Sequence, residues 1–124
     1  MSDKERQDIR KRVYQYALRA IRLHQYLQEQ RDSAGWIIGK QYLRAATSIG
    51  ANIEEGQASE SRADFVHKVG IAQKEARESL FWLRLLMESR LVSNFRLKPL
   101  AKETEELIAV ITAIVVNTKS RKAA

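Results

Sequence analysis

The sequence predicts an all-α protein folded as an antiparallel up-down-up-down four-helix bundle, and three observations predict it. Five glycines and one proline in 124 residues leave long uninterrupted segments. Within each segment the apolar residues return every three or four positions, the spacing of one helix face. The breaks are short, which forces successive helices to run antiparallel. Helices are expected near 8–30, 34–56, 61–90 and 98–118. A chain of this length suits one core, so 1–124 is read as a single domain with short charged tails at 1–7 and 119–124.

The first segment carries Ile9, Val13, Tyr16, Ala17, Ala20, Leu23 and Leu27 on one face and breaks at Arg31-Asp32-Ser33. Tyr14, Leu18 and Ile21 form a second apolar strip beside it, more than one bundle core requires. The second segment buries Ile38, Tyr42, Ala45, Ala46, Ile49 and Ile53. Its small residues at 45, 46, 50 and 51 would let a neighbour approach closely, and Gly56 suits a left-handed helix stop. The third opens on Ser61, with Asp64 three residues later, a capping signature. Its face is Phe65, Val69, Ala72, Ala76, Leu80, Leu83, Leu86 and Met87, with Phe81 and Leu85 turned outward. In the fourth, Pro99 is expected in the first turn. Glu103, Glu105 and Glu106 come early and Lys119, Arg121 and Lys122 late, the order that complements a helix dipole. Leu100, Leu107, Val110, Ile111, Ile114 and Val115 supply its core. The β-branched run at 110–116 has no strand to pair with, so it too reads as helix.

The composition narrows the function classes. Lys and Arg number 22 against 15 Asp and Glu, a net charge of +7 with a sequence pI near 9.9, so polyanions are the first partners to consider. The candidate contacts are Lys11, Arg19 and Arg22 on helix one, Lys74, Arg77 and Arg84 on helix three, and Lys119, Arg121 and Lys122 at the end of the chain. Glu75, Glu78 and Glu88 are interspersed on helix three, so the same pattern also suits a solvated face. Few aromatics are available for stacking, which points contacts to phosphates rather than bases. A charged amino terminus with no apolar core behind it, and no apolar run of membrane-spanning length, lead to the expectation of a cytoplasmic protein with no membrane partner.

Catalytic chemistry finds no foothold. There is no cysteine, and the two histidines, His24 and His67, lack the Glu-x-x-His spacing of a carboxylate-bridged di-iron bundle. No phosphate-cradling glycine loop or nucleophile motif is present. Glu54, Glu55, Glu75 and Glu78 are conceivable bases only as any carboxylate is. The expectation is therefore no enzyme, no cofactor, no metal and no small-molecule substrate. One polar constellation stands out: Arg44, Ser48, Asn52 and Glu55 lie within an arc of about 80° beside the apolar face of helix two. Glu75 and Ser79 flank the core in the same way on helix three. A partly buried structural edge is expected, with Arg44 paired to Glu55 or Glu75.

The stretch RAATSIGANIEEG (44–56), then SRADF (61–65) and IAQKEARESLFWLRLL (71–86), resembles the bacterial four-helix-bundle family of 23S rRNA intervening-sequence proteins. It is similar also to their relatives, the accessory variability determinants (Avd) of diversity-generating retroelements. The resemblance implies a homopentameric ring, with Tyr14, Leu18, Ile21, Phe81 and Leu85 as candidate interface residues. It further implies, from the retroelement branch, an accessory protein that binds RNA or DNA and a reverse transcriptase. The alternative is a protein-interaction scaffold encoded in or near an rRNA intervening sequence, with no direct nucleic-acid role.

Overall fold

The computed structural model describes residues 2–123, with side chains through residue 121. Four helices fill it: α1 (Asp3–Glu29), α2 (Ser33–Gln57), α3 (Arg62–Glu88) and α4 (Asn94–Ala123). Each packs against its neighbours in chain order and α4 returns beside α1, so the four-helix bundle follows the predicted connectivity. No described helix is long and apolar enough to cross a membrane.

The helix starts are set by side-chain caps. Ser2 and Glu5 form a reciprocal capping box, the Glu5 amide donating to Ser2 Oγ at 3.2 Å. Asp32 accepts from the Gly35 amide at 2.8 Å, and Ser61 from the Asp64 amide at 3.0 Å, as its spacing predicts. Because the Ser2 cap lies upstream of the first apolar residue, α1 begins at Asp3 rather than near residue 8. α4 likewise runs on to Ala123, so helix occupies most of both segments expected as tails.

Three expectations about local structure are corrected. Gly56 is not a left-handed stop: no glycine has positive φ, and α2 continues to Gln57. It is buried against α3, where an added Cβ would meet Lys68, Phe65 and Val69 at 3.6–3.7 Å, ordinary van der Waals contact, so neither the backbone nor the packing demands a glycine there. The left-handed residues are Arg31 (φ 55°) and Arg90 (φ 63°), two past the ends of α1 and α3 and directly after their C-caps Gln30 and Ser89. Pro99 falls in the second turn of α4, because Ser93 starts that helix by accepting from the Arg96 amide at 3.2 Å. The carbonyl of Phe95 loses its helical donor there, and Phe95 is 92% exposed, so water can replace it. With the helix starting at Asn94, Glu103, Glu105 and Glu106 lie too far in to complement its dipole, and no acid stands in its first turn.

The core follows the predicted stripes, with Tyr16, Leu27, Tyr42, Ile49, Ile53, Leu83, Leu86, Leu107 and Ile111 essentially sealed. Ala17, Ile38, Phe65, Leu80, Met87, Val110 and Ile114 are half-buried at its margin. Of the small residues on α2, Ala45 and Ala46 are fully buried and Gly50 faces the Val13 carbonyl of α1, while Ala51 points to solvent. Polar groups thread the centre. Tyr42 Oη donates to Tyr16 Oη (3.0 Å), which meets Thr104 Oγ1 (2.6 Å), whose own proton goes to the Leu100 carbonyl (2.8 Å). Since Thr104 spends its proton on Leu100, Tyr16 is the donor to Thr104. This chain of hydroxyls ties α2, α1 and α4 together inside the core.

Candidate nucleic-acid interface

α1 and α4 are the loosest pair of neighbours in the bundle, and their seam is bridged by long side chains rather than by close backbones. Midway along it Arg12 forks onto Glu103 (two bonds of 2.8 Å) and reaches Glu106 (2.9 Å). The fork holds the Arg12 guanidinium well above its ordinary value, first through the bonds to Glu103. Beyond that clamp the seam opens into a cavity of about 300 Å³ lined by Arg19, Arg22, Leu23, Tyr26, Arg96, Leu97 and Leu100. Arg96 lies over the Tyr26 ring, its guanidinium carbon 3.7 Å from the centroid. Arg19, Arg22 and Arg96 have no carboxylate within 4 Å among the described residues, whereas Arg10, Arg12, Arg44, Lys68 and Arg84 all do.

An apolar floor with three uncompensated guanidiniums and a tyrosine face is suited to a phosphate and the group stacked beside it. The structure thus brings together Arg19 and Arg22 from the sequence candidates and adds Arg96 and Tyr26, which sequence reasoning missed. Arg96 sits in the first turn of α4, beside a loop residue cluster, and its partner ring is 70 positions away. Only the return of α4 beside α1 makes them neighbours.

The sequence profile of the 23S rRNA-intervening sequence protein family matches residues 5–113. The chain belongs to this family. A solved structure agrees with the assignment: a protein of unknown function from the S23 ribosomal protein family of Bacteroides thetaiotaomicron VPI-5482. It is 32% identical, with 90% of this chain and 97% of that one aligned at a TM-score of 0.84. No curated protein matches the chain.

The other basic candidates of this 23S rRNA-intervening sequence protein are dispersed. Lys11 is exposed on α1 and lines a neighbouring hollow of the seam with Arg12, Arg19 and Glu103, whereas Lys74 and Arg77 are exposed on α3. Arg84 is partly spent on Glu88 at 3.5 Å. Lys119 and Arg121 are exposed near the end of α4, and the side chain of Lys122 lies outside the described residues.

The polar edge on α2 is corrected on two counts. It is not one network, and its charged members are exposed rather than partly buried. Arg44, 51% exposed in its side chain, reaches across to both Glu75 (3.4 Å) and Glu78 of α3, and not to Glu55. Glu78 also accepts from Trp82 Nε1 at 2.9 Å. Asn52 donates to the Ser48 carbonyl within its own helix (2.9 Å), and Glu55 pairs with Lys68 at 3.0 Å. Ser79 is fully buried and donates to the Glu75 carbonyl. Glu54, the remaining acid, is gripped by Arg10, whose bonds hold its carboxyl below the ordinary range. Among the described residues no cluster of three His, Asp or Glu could hold a metal ion.

The candidate apolar strips divide in a similar way. Tyr14 (65%), Ile21 (41%), Phe81 (54%) and Leu85 (38%) are exposed, while Leu18 is half-buried between its neighbours. α1 and α3 stand diagonally across the bundle, so the two strips face different directions.

Proposed function

We propose that this 23S rRNA-intervening sequence protein is a non-catalytic, homo-oligomeric accessory protein that binds RNA or DNA through the cationic cavity of the α1–α4 seam. The observation that carries this reading is the grouping of Arg19, Arg22 and Arg96 over one apolar floor without acidic partners, with Tyr26 beneath Arg96. Net charge supports it by drawing polyanions to the surface. The absence of a catalytic role is supported by the state of the four acids weighed as bases: Glu54, Glu55, Glu75 and Glu78 are each held in an ion pair. The exposed strips on diagonal helices support head-to-tail association, which closes into a ring where the rotation allows, and five protomers is the number implied by the resemblance to the Avd proteins. A ring repeats the cavity around one axis and adds avidity for a long strand. A reverse transcriptase would be a partner of that assembly, to be sought by co-purification from the host.

The test is a mobility-shift titration with structured RNA and with single-stranded DNA across several salt concentrations. Wild type should bind at about 50 mM salt, and each of Arg19→Ala, Arg22→Ala and Arg96→Ala should shallow the salt dependence by about one phosphate contact. No binding at low salt removes the reading and leaves the scaffold alternative, whose outer faces recruit a protein.

A further inference from the structure

At the opposite end of the bundle the α2–α3 loop, the start of α1 and the end of α4 enclose a second cavity, of about 320 Å³, lined by Arg6, Gln57, Ser59, Arg62, Phe65 and Arg121 among others. Three arginines from three helices converge here although they stand far apart in the chain. None has a carboxylate within 4 Å among the described residues, since each ion pair found there uses another cation. Glu5 lies nearby, its carboxyl held below the ordinary range chiefly by the Ser2 hydroxyl, and Arg121 contributes only a weak field to it. A second feature is independent of the charge. Ser59 Oγ is sealed from solvent and has no hydrogen-bond partner, although buried hydroxyls ordinarily find one. The neighbouring Ser61 and Thr118 hydroxyls are already engaged, with the Asp64 amide and the Ile114 carbonyl.

We propose that this end pocket is a phosphoryl-binding site that takes the dianionic phosphate of a phosphomonoester, as at the terminus of a nucleic-acid strand. Three guanidiniums on one cavity exceed what the single charge of an internal phosphodiester uses, and they match a terminal phosphate, which carries about −1.5 to −2 at neutral pH. The exposed arginines form a rim that can fold over the anion, and Ser59, which lines the pocket, joins them by turning its sealed and unpartnered hydroxyl outward. Identifying the carrier as a strand end rests on the nucleic-acid reading above. The phosphoryl site itself does not.

Calorimetry with inorganic phosphate and with a mononucleotide, and competition between 5′-phosphorylated and 5′-hydroxyl oligonucleotides of one sequence, test the two parts separately. Wild type is expected to bind phosphate and to prefer the phosphorylated strand. Arg62→Gln and Arg121→Gln should each weaken that binding about tenfold, the loss of one charge-assisted hydrogen bond, with unchanged helical content. Ser59→Ala should weaken it less, and Arg62→Lys should retain part of it. Phosphate binding with equal affinity for the two oligonucleotides keeps the site and overturns the strand end as its ligand. Binding of neither phosphate nor mononucleotide, or binding that survives the Arg62→Gln, Arg121→Gln pair, overturns the site, whatever the seam variants do to strand affinity.

Discussion

Tyr16 is the side chain on which most of the interior polarity turns, because it accepts from one buried hydroxyl and donates to another. Tyr16→Phe strands the Tyr42 hydroxyl in the core and should cost roughly 1–3 kcal/mol, while Tyr42→Phe removes only a donor and should cost about 1 kcal/mol. Denaturant unfolding of the two variants checks the order, and equal costs would contradict the directional chain. Burial pushes both phenols above the ordinary value of 10.0, with Tyr16 adding to the shift of Tyr42. The unfolded chain therefore loses these protons first, and the stability they contribute, complete below about pH 10, should fall as pH rises beyond it. The doubly substituted Tyr16→Phe, Tyr42→Phe protein should show a flatter alkaline limb. Arg44 behaves differently. It is half exposed and shared between two acids, so Arg44→Ala should cost under about 1 kcal/mol rather than the several expected of a buried pair.

Each helix end in this bundle is an economy of a few residues, and two of those ends are strained. Arg31 and Arg90 occupy the left-handed region that favours glycine, and each amide bonds back three residues, Arg31 to Gln28 and Arg90 to Met87, as in a Schellman-type stop. A non-glycine residue there costs roughly 1–2 kcal/mol in conformation, part of which glycine forfeits through its freer unfolded chain. Arg31→Gly and Arg90→Gly should each raise stability by about 0.5–1 kcal/mol, seen as a higher Tm, and a lower Tm would show that the arginine side chains earn their strain by contacts.

At the level of the whole molecule, assembly is expected to use the exposed strips of α1 and α3. Tyr14 with Ile21, and Phe81 with Leu85, leave apolar surface in two directions, with Phe81 packed edge-on against Trp82 at 5.0 Å. Light scattering at micromolar concentration should report a multiple of the 14.3 kDa chain, and Tyr14→Asp or Phe81→Asp should return it to the monomer without loss of helix. Wild type at the monomer mass would remove the oligomer and the avidity argued from it. The seam cavity and the end pocket lie at opposite ends of the bundle, so their variants report independently.

The amino-acid sequence by itself determined the bundle, because helical periodicity is a local property and each stripe names its own buried face. It showed the Ser61 cap for the same reason, a spacing of three along one chain. It misplaced Pro99 and Gly56 because a helix end depends on where the cap falls, and Ser93 starts α4 earlier than expected while α2 runs through Gly56 to Gln57. The pairing of Arg44 with Glu78, the Tyr42–Tyr16–Thr104 chain and the stacking of Arg96 on Tyr26 were settled only by tertiary structure. Each joins residues on different helices, and periodicity says which side of a helix faces inward but not which rotation and height bring two particular side chains within a hydrogen bond's length. The two arginine clusters share that origin: a charge that looks scattered along the chain becomes a cluster only when packing sets three guanidiniums around one cavity with no described carboxylate within 4 Å of them.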